Sequence, residues 1–251
     1  MRQKLGQHFL VKGSILERIA RAACPERVPL VIEIGPGKGA LTDHLIERAD
    51  FVIGIEFDED LASYLRDKYR ENSKFTVVGA DALEIDLSQW GAAVIAGNLP
   101  YYIATPILEK VLRLGAVMQK GVFLIQREVA ERLVAEPGCR EYGYLTASTR
   151  LWADIEMLFT VKPSAFHPPP KVDSALIRVT PRDRVGEMSI DSPEKFLRFV
   201  SVCFRQKRKT IRNNLSAAYD KAQIDAWPES SLRAEQLTLL QFAHMYRRLV
   251  P

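Results

Sequence analysis

The sequence predicts a mostly parallel, doubly wound α/β sheet of seven strands, followed by a small all-α domain. From Val31 to about Arg178, short apolar runs alternate with amphipathic segments, the rhythm of repeated βαβ units. A glycine turn, Gly35-Pro36-Gly37-Lys38-Gly39, joins the first strand to the first helix, as in Rossmann-like folds. Beyond residue 191 the periodicity is helical only, as in Phe196, Phe199, Val200 and Cys203.

Leu30–Ile34 is the first strand, and Ala40–Arg48 a helix with Leu41, Leu45 and Ile46 on one face. Phe51–Glu56 is the second strand and Asp58–Tyr69 the second helix. Phe75–Val78 and Val94–Gly97 are the third and fourth strands, and Thr105–Leu114 is helical. Gly121–Ile125 is the fifth strand, followed by a helix through Val134. Two further strands fit Ala153–Phe159 and Ala175–Val179, and the proline-rich stretch Pro163–Pro170 between them predicts irregular structure. The polar run Thr180–Asp191 reads as a linker. The expected limits are 1–182 for the α/β domain, 183–191 for the linker and 192–251 for the helical domain.

The chain has 251 residues, 47% hydrophobic and 26% charged, which is ordinary for a globular protein of one or two domains. No apolar run approaches the ~20 residues of a membrane span. The N-terminus carries no signal-peptide pattern, so a cytoplasmic protein with no membrane partner is expected. Cys24, Cys139 and Cys203 are far apart and read as buried free thiols, with no disulfide framework and no metal site. Net charge is only +4, yet seven basic and no acidic residues fall between Lys195 and Ser216. Such a run repels itself unless a polyanion covers it.

Chemistry concentrates at strand ends. Asn98-Leu99-Pro100-Tyr101-Tyr102 follows the buried run Val94–Gly97. The Asn98 side chain and the Leu99 carbonyl can accept hydrogen bonds from an NH2 group, and an aromatic ring can stack on a base. Those residue types suit methyl transfer to the exocyclic amine of a nucleobase. The glycines of the turn, Gly35 and Gly37 among them, permit close backbone approach to a ligand. Their spacing is GxGxG, neither the GxGxxG of dinucleotide sites nor a P-loop. Glu56 ends the second strand, 21 residues after Gly35, where an acid accepts hydrogen bonds from ribose hydroxyls. Asp81, in Gly79-Ala80-Asp81-Ala82-Leu83, follows the third strand, placed either to accept from an adenine amine or to cap a turn.

With these motifs in order, the chain resembles the S-adenosylmethionine-dependent rRNA adenine N6-methyltransferases, and within them the small-subunit adenine dimethyltransferases. The resemblance runs through Leu5-Gly-Gln-His-Phe-Leu10, the EIGPGKGALT stretch from Glu33 to Thr42, and Gly79–Leu83. It continues through Asn98–Pro106, Phe166–Ser174 and Phe204–Leu215. It implies a class I methyltransferase fold whose N-terminal segment caps the cofactor. The implied S-adenosylmethionine contacts are His8, Leu10, Gly35, Glu56, Asp81 and Asn98. His8 stands where the family often has Asn. Tyr101 is expected to stack on one face of a flipped adenine and Phe166 on the other. Tyr102 replaces a common Asn and receives no role. Ala104, where Ser is common, leaves room for a methylated amine.

The same resemblance implies two adjacent adenines near the 3′ end of 16S rRNA as substrate, dimethylated during small-subunit biogenesis. Arg205, Lys207, Arg208, Lys209 and Arg212 are the expected phosphate contacts, extended by Lys4, Lys12, Arg18 and Arg21. Mechanistically, direct in-line transfer is expected, driven by positioning and electrostatics without a metal. A monomer is expected. Two other readings compete: a resistance-type enzyme acting on 23S rRNA, which usually carries Ile where this chain has Leu99, and a noncatalytic ribosome-assembly factor.

Overall fold

The computed structural model describes residues 8–249. Lys4 and the Leu5–Gln7 part of the first motif lie outside the described residues. The chain divides into two compact units, residues 1–130 with 155–181 and residues 131–154 with 182–251.

Nine strands are present among the described residues: β1 (Phe9–Leu10), β2 (Val28–Ile34), β3 (Ala49–Glu56), β4 (Phe75–Gly79), β5 (Ala93–Asn98), β6 (Met118–Gln126), β7 (Ala153–Val161), β8 (Phe166–His167) and β9 (Ser174–Pro181). Seven of them form one sheet in the order β4-β3-β2-β5-β6-β9-β7. The pairs β2–β3, β3–β4, β2–β5 and β5–β6 are parallel, and β6–β9 is antiparallel. The chain winds outward through β2, β3 and β4, then crosses back to lay β5 on the other side of β2. That reversal makes a crevice at the C-terminal ends of β2 and β5, where ligands bind in such sheets.

Central position explains composition. The last four residues of β2, Val31–Ile34, are all buried, as expected of a strand covered on both faces. Helix α1 (Gly13–Ala23) covers the sheet with Leu16, Ile19, Ala20 and Ala23, the spacing of one helical face. No helix is predicted before Leu30, yet this one has a regular apolar period. Helix α2 (Ala40–Ile46) adds Leu41 and Leu45 to the same core. Each fully buried Leu or Ile contributes about 1.5–3 kcal/mol, so Ile19→Asp would undo α1. Helix α3 (Glu59–Lys68) starts at Asp58, whose carboxylate accepts from the N–H groups of Asp60 and Leu61. Helix α4 (Ala104–Leu112) follows β5, and α5 (Arg127–Val134) follows β6.

The stretch expected to be irregular holds a short pairing. Strand β8 pairs antiparallel with β1, placing Phe9 opposite His167 and Leu10 opposite Phe166. The Val11 N–H extends the ladder by donating to the Ala165 carbonyl at 2.9 Å.

The second unit comprises α6 (Tyr144–Arg150), α7 (Arg184–Glu187), α8 (Pro193–Cys203), α9 (Ile211–Leu215), α10 (Lys221–Asp225) and α11 (Leu239–Leu249). Phe196, Phe199, Val200 and Cys203 pack with Phe242, Tyr246, Tyr142 and Leu151 in its core. The expected limits therefore shift. Residues 131–154 belong with the helical unit, because Tyr142, Ala147 and Leu151 are buried there. Residues 183–191 are no free linker either. They hold α7, bury Ile190, and tie Arg184 to the Arg150 carbonyl at 2.6 Å. Cys24 and Cys203 are buried thiols as expected, whereas Cys139 is exposed.

Candidate active site

One cavity lies at the C-terminal edge of the sheet, beside the crevice between β2 and β5. Its walls come from the N-terminal segment (His8–Val11), the glycine turn, Glu56, and Asn98 to Tyr101. Residues more than ninety positions apart in the chain thus share one space.

The glycine turn leaves β2 with Gly35 at φ 69° and Gly37 at φ 59°, a left-handed backbone that side chains disfavour. A Cβ on Gly37 would also come within 3.0 Å of the Phe9 ring. Glu56 holds this turn from the end of β3. Its Oε2 accepts from the Gly37 N–H at 2.9 Å and its Oε1 from the Asp58 N–H at 3.0 Å. Only 5% of Glu56 is exposed, and burial raises its carboxyl above the usual range against the pull of those two donors. A carboxylate offers about four acceptor positions, so two backbone bonds leave capacity for a ribose diol.

A second acid, Glu33, also lines the cavity. It is buried within β2, accepts from the Thr42 hydroxyl at 2.6 Å, and burial pushes its pKa up to about 8. Glu33 opens the turn motif in sequence, where it carries no expected role. Its signal was an acid inside an otherwise apolar strand.

Asn98 ends β5. Its Nδ2 donates to the His8 carbonyl at 3.0 Å. A carbonyl can only accept, so the NH2 must face His8, which leaves Oδ1 as the remaining acceptor. Leu99 is buried, with its N–H donating to the Leu124 carbonyl at 3.0 Å, and it lines the cavity together with Pro100. The Tyr101 hydroxyl bonds Ser174 Oγ at 2.6 Å, and its ring centroid lies 5.8 Å from that of His8. His8 Nδ1 meets the Pro168 carbonyl at 2.7 Å and therefore carries the proton. Leu10 is buried against the same cavity.

Two expected residues fall elsewhere. Asp81 stands at the end of β4, outside the cavity lining, with Oδ1 accepting from the Leu83 N–H at 2.8 Å in a turn. It still faces this edge. The Tyr102 hydroxyl is raised above its ordinary pKa by burial and then by the negative charges of Asp81 and Glu56. Tyr102, given no role from the sequence, is an exposed aromatic. Phe166 departs further. It is only 4% exposed, packs in the hydrophobic core with Leu10 and Leu176, and does not line the cavity. Its pairing in β8 turns the ring inward, so it presents almost no face to a base.

In the helical unit, Arg205, Lys207, Arg208 and Lys209 are exposed on the turn after α8. Asn214, itself 5% exposed, pins that turn by donating to the carbonyls of Cys203 and Gln206 and accepting from the Gln206 N–H. Lys207 donates to the Arg140 carbonyl. Arg212 differs from the rest, because Asp225 pairs with its guanidinium at 2.8 Å. The run is uncompensated in sequence but partly compensated in space.

A cavity with a close-approach glycine turn, a buried acceptor carboxylate and apolar walls fits a nucleoside-bearing ligand. Comparison with known proteins agrees. The family model described as ribosomal RNA adenine dimethylase matches residues 1–249. The ribosomal RNA small subunit methyltransferase A of Acidobacterium capsulatum is 41% identical, covering 98% of this chain and 90% of its own. The protein of the same name from Acinetobacter baylyi is 39% identical, covering 100% and 93%. Among solved structures, a dimethyladenosine transferase from Plasmodium falciparum shares the fold with TM-score 0.81 at 24% identity, over 96% of each chain. The 23S rRNA methyltransferase ErmE superposes with TM-score 0.76 at 26% identity, over 97% of this chain and 100% of its own. The sheet order, the strand-end site and a family match over nearly the whole length lead to one assignment: this chain is a class I methyltransferase and belongs to the ribosomal RNA adenine dimethylase family.

Proposed function

We propose that the chain dimethylates N6 of two adjacent adenines near the 3′ end of 16S rRNA, within the small ribosomal subunit or its precursor, as a step of subunit biogenesis. The observation that carries this reading is the Asn98 amide, oriented by the His8 carbonyl in a cavity shared with Gly35 and Glu56. S-adenosylmethionine, when bound, supplies an electrophilic methyl group on sulfonium sulfur.

In this reading Glu56 holds the ribose hydroxyls, Gly35 and Gly37 let the backbone approach the donor, and His8 and Leu10 cap it. Asp81, with one carboxylate oxygen engaged by Leu83, uses the other for the adenine amine of the donor. The target adenine leaves its stack and its N6–H groups donate to Asn98 Oδ1 and the Leu99 carbonyl. Those acceptors localise the nitrogen lone pair, which conjugation with the ring otherwise withdraws. With the methyl donor bound, these acceptors would hold the nitrogen in line with the methyl group it takes, and the displaced N6 proton would pass to solvent. Tyr101 stacks on the base, its ring held by the Ser174 hydrogen bond. Arg205, Lys207, Arg208, Lys209 and Arg212 face the RNA backbone, fixing position and not sequence.

The 36–41% identity to several small-subunit methyltransferases favours that substrate over large-subunit rRNA. Incubation of undermethylated small subunits with radiolabelled S-adenosylmethionine tests the reading. Label in two adjacent adenines of small-subunit rRNA is expected. Label confined to large-subunit rRNA would overturn the substrate, and no label at all would leave the noncatalytic assembly reading.

A further inference from the structure

We infer that Lys38 binds the carboxylate of the methyl donor's amino-acid portion. This rests on the cofactor reading of the cavity given above. Lys38 is the one lysine or arginine among the described residues lining the cavity, which also holds the acids Glu33 and Glu56. An amino-acid carboxylate desolvated in this cavity needs a cation. Its ammonium lies 5.4 Å above the Phe9 ring, and no carboxylate of the described residues pairs with it. The nearby Asp43 is taken by Lys68 at 2.8 Å. A ring face attracts a cation but does not neutralise it, so Lys38 keeps its capacity for an anion.

The turn itself does not offer its glycine amides for that task. The Gly35 N–H donates to the Ile55 carbonyl at 2.9 Å, Gly37 to Glu56 at 2.9 Å, and Gly39 to the Pro36 carbonyl at 2.8 Å. Glycine turns often hold anions through such N–H groups. Here they are spent within the protein, and the side chain of Lys38 is the charged donor on the turn. Phe9 stands beside both: its ring lies against Gly37 and beneath the Lys38 ammonium.

Titration calorimetry with two ligands separates this role from a structural one. S-adenosylhomocysteine carries the amino-acid portion, whereas 5′-methylthioadenosine keeps the nucleoside thioether and lacks it. Lys38→Met retains an unbranched stem over Phe9 and removes the charge. It should weaken S-adenosylhomocysteine about tenfold, the scale of one charge-assisted hydrogen bond, and leave 5′-methylthioadenosine unchanged. Lys38→Arg should recover most of the loss. Undiminished S-adenosylhomocysteine affinity in Lys38→Met overturns the inference, as does an equal loss for both ligands, which would mean a distorted turn. If the wild-type chain binds neither ligand, the cofactor reading falls and the inference with it.

Discussion

Asn98 Nδ2 donates to the backbone carbonyl of His8 across 90 positions of sequence, at 3.0 Å. The bond decides which end of a symmetric-looking amide is left to act. With the NH2 end held, only Oδ1 can accept from an incoming amine, and the N-terminal segment thereby sets the polarity of the site. Asn98→Ala removes that acceptor and should lower single-turnover methyl transfer about a hundredfold or more, while binding of the small subunit is spared. Near-full turnover in this variant would refute the amine-gripping role.

Glu56 couples the ribose position to the glycine turn through the Gly37 and Asp58 N–H groups. Glu56→Ala strands the buried Gly37 N–H, a cost of about 1–3 kcal/mol, and releases the half-buried Asp58 N–H. The variant should melt at lower temperature and also lose S-adenosylhomocysteine binding. Normal melting with lost binding would mean that water replaces the carboxylate and that the turn stands without it.

Glu33 makes stability depend on pH. Its folded pKa of about 8 lies above the ordinary carboxyl value of 4.5, so the folded chain binds more protons between those values. Stability therefore falls as pH rises through that window, by at most about 1.4 kcal/mol per pH unit, and is level below and above it. Glu33→Gln keeps an acceptor for Thr42 and should remove this fall. Urea unfolding of both proteins from about pH 5 to pH 8 measures it, and parallel curves would show that Glu33 titrates normally.

The basic turn and Arg212 should behave differently with RNA. Arg208 and Lys209 are exposed, whereas Arg212 is engaged by Asp225. Each phosphate-bound cation contributes about 0.7–0.9 to the slope of log affinity against log salt. Arg208→Ala and Lys209→Ala should each lower the slope by about that amount, and Arg212→Ala by less. Anisotropy titrations at several salt concentrations decide this. An equal drop for Arg212→Ala would mean that RNA displaces Asp225.

The strands were readable because their side chains alternate or run apolar according to how many faces are covered. Val31–Ile34, Val52–Ile55 and Val94–Ala96 carry that pattern in any context. Helix α1 is equally periodic, but it precedes the first strand of the seven-stranded sheet and so lies outside the βαβ alternation that marks the other elements. Segment 183–191 misled for a physical reason: its polar surface hides one anchoring isoleucine and one arginine held by backbone carbonyls.

What the sequence determined by itself was the chemistry at strand ends: a glycine turn, an acid, a second acid and an asparagine, in the order that a doubly wound sheet brings to one edge. These are local properties of residue type and spacing. Tertiary structure alone decided which of them meet. The His8 carbonyl orients Asn98, Glu56 clamps Gly37, Asp225 quenches Arg212, and the pairing of β1 with β8 turns Phe166 into the core. Each of these is a hydrogen bond, ion pair or strand pairing between distant parts of the chain. Such partners are set by where folding closes the loops between them, and no local period records that.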